Sequence, residues 1–591
     1  MNKSKLILVL ILFLFAFLTA SCSSVDTKKQ KQLRELFFDS KYEEANKTVA
    51  ELIPLSEERS KLLYFLEKGL ILHAQGKYFS SNAHFNAAND ISQRLFTKSI
   101  SKSAQSMLTN DTYDNYYGAF YERSLIHFYL TLNNFLIYQN GEIEEHLYEE
   151  EAPPSLVANT STPKGELSKV IPKKILSAKE KREYLNRARA QILAWDSLLS
   201  SWRDGREGKS VFKNDMLAKV FGSFVHESYQ TPSDLQIANQ LLKDAKDLML
   251  KNYNAYPTFN RNFVKFKKDF DALPSMDVEK VRSDYVLATD FQKELVDFLE
   301  QNISKTKESK EATVAIILQL GMIPEKISKK YNFGLEGAVG GIEDPEKRKM
   351  AMSIGSTALG YFAANILGLV PKDGDWLSPG ATIGVEVGKL AATHIGFSFE
   401  LPKVINTPTN KRACVEIYDK SKGTIVKTST LPILNPLGDI AEEAVDEDSA
   451  IRYVKTGVRM GSKHLLAILS AYGTYKMISS KSSSDFIARN AAVLQYIALS
   501  KGIALTERAD VRYWITLPKD IRMTKISLAK GCYGVRVKIA DGQLPCDLNS
   551  VNTNINTSNK IAGVNYYQFE DINIASGVDE FKVINLRIKK L

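Results

Sequence analysis

The stretch FLEKGLILHAQGKYFSSNAHFNAA, Phe65 to Ala88, decides how the amino-terminal half reads. Apolar residues recur at helical spacing on both sides of Gln75-Gly76, so the stretch predicts two helices joined by a tight turn. Small residues stand where antiparallel helices must come close, Gly69 on the first helix and Ser81 and Ala88 on the second. Phe65, Tyr78 and Phe85 then fill the space between this pair and the next. A half-copy precedes it as Tyr42, Ala45, Val49 and Leu52, with Tyr42 lying 36 residues before Tyr78. A period of that size means stacked units rather than one isolated hairpin.

The spacing Phe65-x2-Lys68-Gly69-x2-Leu72, Gly76-Lys77-Tyr78, Ser81-x3-Phe85-x2-Ala88 resembles a tetratricopeptide repeat in which Lys68 replaces a Leu. The resemblance implies a solenoid of helix pairs whose concave groove grips a peptide or protein segment; a helical scaffold that only positions the rest of the chain is the alternative. Further helical patterns run from Tyr116 to Tyr138, from Lys179 to Trp202, and through Ala238-x3-Leu242-x2-Ala245. Between them, Glu142 to Lys174 is acidic, then rich in Pro, Ser and Thr, and reads as an exposed loop.

After Thr313 the period changes to two. Strands are expected at Thr313 to Leu320, His394 to Val404, Cys414 to Asp419 paired with Thr424 to Thr430, Val511 to Thr516, Ile526 to Leu528, Tyr533 to Ile539, Val564 to Phe569 and Phe581 to Ile588. The phrase from Leu528 to Val537 resembles an edge of an immunoglobulin-like sandwich. Inside this half, Ala351 to Val370 has no charge, and Gly380, Gly384 and Gly388 follow at helical spacing, a face that lets another helix approach closely. A tightly packed hairpin and a membrane-inserting or self-associating one are both open.

The chain has 591 residues, 44% hydrophobic and 25% charged, which excludes wholesale disorder and a polytopic membrane protein. Its amino end, MNKSKLILVLILFLFAFLTASC, has two lysines, an apolar run from Leu6 to Leu18 and small residues before Cys22, the pattern of a secretory signal. Thr19-Ala20-Ser21-Cys22 resembles the lipobox of bacterial lipoproteins, which implies a diacylated Cys22 as the mature amino terminus. Ser23 after it implies, by the same resemblance, the outer membrane with the chain facing the periplasm. In that oxidising compartment Cys532 and Cys546, on either side of the strand expected at Tyr533 to Ile539 and a turn at Asp541-Gly542, can pair as a disulfide or stay as two buried thiols. The net charge of +10 includes Lys3 and Lys5 of the leader and shows no basic run, so nucleic acid is not an expected partner.

No chemistry-bearing motif stands out. The seven histidines are scattered without HxH or HExxH spacing, and there is no GxSxG, GxxxxGK[ST] or GxGxxG. No catalytic residue, cofactor or metal ligand is assigned. Gly337 to Gly341 reads as a loop, and Thr109 to Thr112 as a helix cap rather than acid–base machinery. Asp510 and Arg512 are expected on one face of a strand, with Trp514 over Arg512, as a structural pair.

Several phrases together resemble an uncharacterised family of bacterial lipoproteins with tetratricopeptide-like repeats: Phe96 to Ile100, Leu108 to Thr112, Phe120 to Tyr129, Gly321 to Pro324, Phe399 to Pro402 and, above all, Arg508-Ala-Asp-Val-Arg-Tyr-Trp-Ile-Thr-Leu-Pro518. Some members are encoded beside lipoprotein activators of penicillin-binding proteins, and no family reaction exists to transfer. The expected organisation is a signal peptide (1–21), a lipidated linker (22–30), helical repeats (31–140), an acidic, Pro-rich loop (141–178), further helices (179–310) and a β-rich domain (311–591) with helical insertions at 345–391 and 437–505. This is an α+β fold, a helical solenoid followed by a sandwich-like domain. The expected function is a lipid-anchored envelope scaffold that binds another envelope protein through its repeats. A membrane-inserting or self-associating lipoprotein is second, and an enzyme acting on peptidoglycan third.

Overall fold

Helices come first and strands last in this mixed α/β chain. The structure, a computed structural model, describes residues 27–54, 57–102, 114–147, 169–204, 212, 214–260, 288–303, 311–333, 397–446, 467, 470–471, 473–480, 485–506, 508–543, 563–575 and 580–590. The helices are α1 (Thr27–Phe38), α2 (Tyr42–Leu52), α3 (Lys61–Ala74), α4 (Tyr78–Lys102), α5 (Phe120–Asn140), α6 (Ala178–Asp204), α7 (Met216–Glu227), α8 (Pro232–Lys251), α9 (Asp290–Ile303) and, far along the chain, α10 (Asp485–Thr506). From α1 to α9 each helix packs on its successor. Helices as short as α1 and α2 are marginal alone, so burial of one stripe stabilises them. That stripe is Leu33 and Phe37 on α1, and Ala45 and Val49 on α2, all buried.

The turn and the crossing of α3 and α4 follow from two glycines. Gly76 takes φ +79°, a conformation L side chains rarely adopt, and ends α3. Gly69 faces the Phe85 ring so closely that a Cβ there would stand 2.7 Å from Phe85 Cε1. Ser81 donates its hydroxyl to the Gly69 carbonyl at 2.7 Å. Phe85 and Ala88 are fully buried, while Phe65 and Tyr78 lie half-buried at the rim of the same cluster. Gly69, Ser81 and Phe85 thus meet at the crossing of the two helices.

Two four-stranded sheets follow. In the first, β10 (Ile433–Asn435), β11 (Asp520–Leu528), β5 (Ala312–Leu320) and β14 (Phe581–Ile588) lie in that order, with β5 antiparallel to β11 and parallel to β14. In the second the order is β13 (Val564–Ile574), β12 (Gly531–Asp541), β8 (Lys411–Asp419) and β9 (Thr424–Thr430). Strand β5 explains how the halves join. Val314, Ile316, Leu318 and Leu320 enter a cluster shared with Val415 and Ile417 of β8 and Val535, Val537 and Ile539 of β12. Ala315 and Ile317, on the other face, enter the cluster that holds the helices. Covered on both faces, β5 reads as an almost unbroken apolar run.

Smaller pieces complete the fold. Strands β6 (Lys326–Phe333) and β7 (Phe397–Val404) form an antiparallel two-stranded ribbon. Strands β1 (Glu142–Ile143) and β2 (His146–Leu147) pair with β4 (Lys174–Ile175) and β3 (Val170–Ile171), so the expected loop at 141–178 is rooted in a short ladder. The 437–505 insertion is helical at 437–446, 473–479 and through α10.

Several expectations change. Val511–Thr516 is not a strand; residues 508–514 are irregular and 515–516 turn. Strand β11 begins at Asp520, six residues earlier than expected, and β6 and β10 were not foreseen. Helix α1 begins at Thr27, inside the stretch 22–30 expected as a linker. Cys532 is a free, exposed thiol, which removes the Cys532–Cys546 disulfide; among the described residues, Cys414, buried mid-strand in β8, is disulfide-bonded. Cys22, Cys546, Thr109 to Thr112, Gly337 to Gly341, and the 345–391 hairpin with Gly380, Gly384 and Gly388 lie outside the described residues. Among the described residues, no helix is long and apolar enough to cross a membrane.

Candidate functional site

Helices α3 and α5 each bury one glutamate. Glu67 is 0% exposed and Glu122 2%. A carboxylate this deep must be hydrogen-bonded or it costs several kcal/mol. Both find their donors in the segment that links α10 to β11, residues 508–518. Glu122 Oε1 accepts from Trp514 N at 2.9 Å. Glu67 Oε1 accepts from Ile515 N at 2.5 Å, and its Oε2 accepts from Thr516 N at 3.3 Å and the Thr516 hydroxyl at 2.6 Å. Three consecutive backbone N–H groups are thus spent on side chains. A strand would send alternate N–H groups to opposite edges, which is why this strap cannot be one.

The rest of the strap is held as tightly. Asp510 and Arg512 pair at 2.7 Å, and Arg512 also donates to the Asp114 carbonyl at 3.0 Å and to the Ser60 hydroxyl at 3.3 Å. The expected stacking of Trp514 on Arg512 is not made: the guanidinium lies 5.6 Å over the Tyr116 ring. Trp514 instead enters the helical core, 5.7 Å from Phe85 and 5.8 Å from Tyr129, and is fully buried. Its indole thus packs on the same Phe85 ring that faces Gly69. Gln30 of α1 donates to the Val511 carbonyl at 3.4 Å, and Lys326, at the root of β6, to the Arg512 carbonyl at 3.1 Å.

Burial drives the electrostatics of this cluster. It raises the Glu67 carboxyl to about 8 against the donors from Thr516 and Ile515, and raises Glu122 as well. For Asp510 burial works in the same direction, but the Arg512 guanidinium outweighs it and holds the carboxyl below its ordinary range. Raised carboxyls are what general acids use. Here, however, Tyr116, Ala119 and Trp514 occupy the oxygens of Glu122, and Ile515 and Thr516 those of Glu67. The arrangement clasps a backbone rather than facing a substrate.

Two further polar joints tie helices to strands. Tyr129 donates to Gln319, Gln319 to Asn585, Asn585 to His73 Nε2, His73 Nδ1 to Asn133, and Asn133 to Ser81, each at 2.6–2.9 Å. This tautomer of His73, protonated at Nδ1 and bare at Nε2, is the one that both of its bonds require. Burial lowers the imidazole to about 4, so it stays neutral. In the second joint, Asp215 caps α7 through Leu217 N and accepts from Ser124 and from Asn435 of β10.

No family model, curated protein or solved structure matches this chain. Its site therefore has to be read from its own geometry. Among the described residues, no group of three His, Cys, Asp or Glu side chains is placed to hold a metal ion. Sequence reasoning singled out Asp510, Arg512 and Trp514 and missed Glu67, Glu122, His73 and Asp215. The overlooked signal was a lone Glu67 between Leu63 and Ile71, a charged residue in an apolar stripe at helical spacing.

Proposed function

We propose that the chain is a non-catalytic scaffold of a bacterial cell envelope, lipid-anchored through Cys22 in the outer membrane and facing the periplasm, that presents its helical half to another envelope protein. The observation that carries this reading is the clasp itself. The raised carboxyls of Glu67 and Glu122 are spent on the chain's own N–H groups at 514–516, so the helices serve as a support for that segment. The α3–α4 crossing supports a solenoid of the tetratricopeptide type, and the cluster shared by β5, β8 and β12 supports a sandwich. With Trp514 packed into the helical core, a partner engages outer helix faces. Leu193 on α6, 62% exposed, and Ile237 on α8, 40% exposed, are apolar points there.

Photocrosslinking residues placed in living cells at positions 193, 237 and, in the strand half, 405 test this. Adducts with one envelope protein from 193 or 237 are expected. Adducts from 405 alone, or from none of the three, would overturn it. Palmitate labelling that vanishes with Cys22→Ala tests the anchor.

A second reading, a lipoprotein that inserts or self-associates through Gly380, Gly384 and Gly388, draws support from the ribbon. Strands β6 and β7 flank that segment in the chain, and their paired root lies beside α1.

A further inference from the structure

The last strand ends in a cluster of cations that the fold does not neutralise. Arg587, near the end of β14, lays its guanidinium over the Phe37 ring of α1, with Cζ 5.8 Å from the ring centroid. Lys589, two residues on, lies 4.8 Å over the same ring and 4.6 Å over the Tyr42 ring. Its ammonium donates to the Phe37 carbonyl and to the hydroxyls of Ser40 and Tyr42. Arg34 stands one turn before Phe37 on α1. Burial lowers the Arg587 guanidinium to about 10, with Arg34 adding to the effect, and burial followed by the Arg587 charge lowers Lys589 to about 8.

The carboxylates of this region are spent elsewhere. Asp39 pairs with Lys590 at 3.1 Å, Asp520 with Arg522 at 2.7 Å, and Glu325 lies 3.6 Å from Arg34. Among the described residues, no Asp or Glu forms an ion pair with Arg587 or Lys589. Arg587 Nη2 reaches only the Thr516 carbonyl at 3.3 Å and Met322 Sδ at 3.5 Å. Its Nε and Nη1 are buried without a hydrogen-bond partner, as is Nη1 of Arg34. A guanidinium keeps its proton, so it cannot escape the cost of burial by becoming neutral. Water could accept these N–H bonds but would bring no charge. Arg587 as a whole is half-buried and the Arg34 side chain is 21% exposed, so the cluster reaches the surface.

We propose that Arg34, Arg587 and Lys589 form a binding site for a phosphate monoester, carried by a soluble molecule or by a lipid headgroup. Three cations against the single carboxylate of Glu325 leave two positive charges, which a phosphate dianion matches and a carboxylate would only halve. Its oxygens can accept from guanidinium groups on two elements at once, α1 and β14. Lys589 has spent its N–H groups and acts through its charge, while the Ser40 and Tyr42 hydroxyls that accept from it keep their own protons to donate. The proposal goes beyond the scaffold reading and does not depend on it, since this cluster joins the two ends of the chain whatever the helices bind.

The test has two arms. In the first, the full-length chain is melted at about pH 7.5 with inorganic phosphate, with glycerol 3-phosphate, or with potassium chloride at equal ionic strength. In the second, the Cys22→Ala chain, which has no acyl anchor of its own, is floated on phosphatidylcholine vesicles with and without phosphatidic acid. A melting temperature several degrees higher in either phosphate than in chloride assigns a soluble ester. Flotation that requires phosphatidic acid, without that rise, assigns a lipid headgroup. Whichever response the parent shows, Arg587→Met should abolish it and Arg34→Gln should weaken the apparent affinity about tenfold; if Arg587→Met does not fold, Arg34→Gln decides alone. Equal melting in phosphate and chloride together with equal flotation on both vesicles would overturn the proposal. So would a response that either folded variant keeps at the parent's strength, because the anion then binds elsewhere.

Discussion

Gly69 lies directly beneath Phe85, with no room for a Cβ between them. Gly69→Ala should therefore cost about 1–3 kcal/mol, the usual penalty of an overpacked crossing, and Gly69→Leu more. Lys68, one residue earlier and only half-buried, should accept Leu without loss. Chemical denaturation of the three variants checks this, and equal midpoints would mean that α3 and α4 cross elsewhere.

Trp514 should be replaceable by Phe but not by Ala. Its ring packs against Phe85 and Tyr129, yet its buried Nε1 has no hydrogen-bond partner. Trp514→Phe keeps most of the contact and should lose about 1–2 kcal/mol, against about 3–5 kcal/mol for Trp514→Ala. Equal losses in equilibrium unfolding would show that the indole nitrogen matters.

Asp510 and Arg512 should behave as one unit. Asp510→Asn or Arg512→Gln leaves a buried charge without its counterpart, so the two losses should not add. A double-mutant cycle should give a coupling of about 1–3 kcal/mol, and a coupling near zero would refute the pairing.

The clasp has a pH signature. The Glu67 carboxyl is raised in the folded chain from 4.5 to about 8, so its contribution is fully present below 4.5 and is lost as pH rises through 8. Relative to Glu67→Gln, the parent should melt progressively earlier between about pH 5 and pH 9. Parallel melting curves across that range would disprove a raised Glu67.

His73 and His127 act in the opposite sense. Burial lowers each from 6.5 to about 4, so their contribution is present above 6.5 and is lost as pH falls through 4. His73→Asn combined with His127→Gln should flatten the acid limb of stability, whatever it costs at neutral pH. An acid limb as steep as the parent's would place its origin in the carboxylates.

The elements that can be read from sequence are those whose stabilising contacts are local. The α3–α4 hairpin follows from Gly69, Gly76 and Phe85 within one turn of sequence pattern, and the β8–β9 hairpin from alternation on both sides of Lys420 to Gly423. The strap misled because Val511, Tyr513 and Ile515 alternate as a strand does, while the acceptors that decide its path sit on Glu67 and Glu122, hundreds of residues earlier. Strand β10 is three residues long, too short for any period to show. For the site, Asp510 and Arg512 were legible as a pair, since they are two residues apart. The glutamates were not, because nothing near them in the chain supplies the donors they need.

Every chain is made from its amino end, and the clasp sets an order on that process. Glu67 and Glu122 emerge early, yet the N–H groups that satisfy them arrive only with residues 514–516. The two buried acids of the amino-terminal helices thus gain these donors only once residues 514–516 have been made.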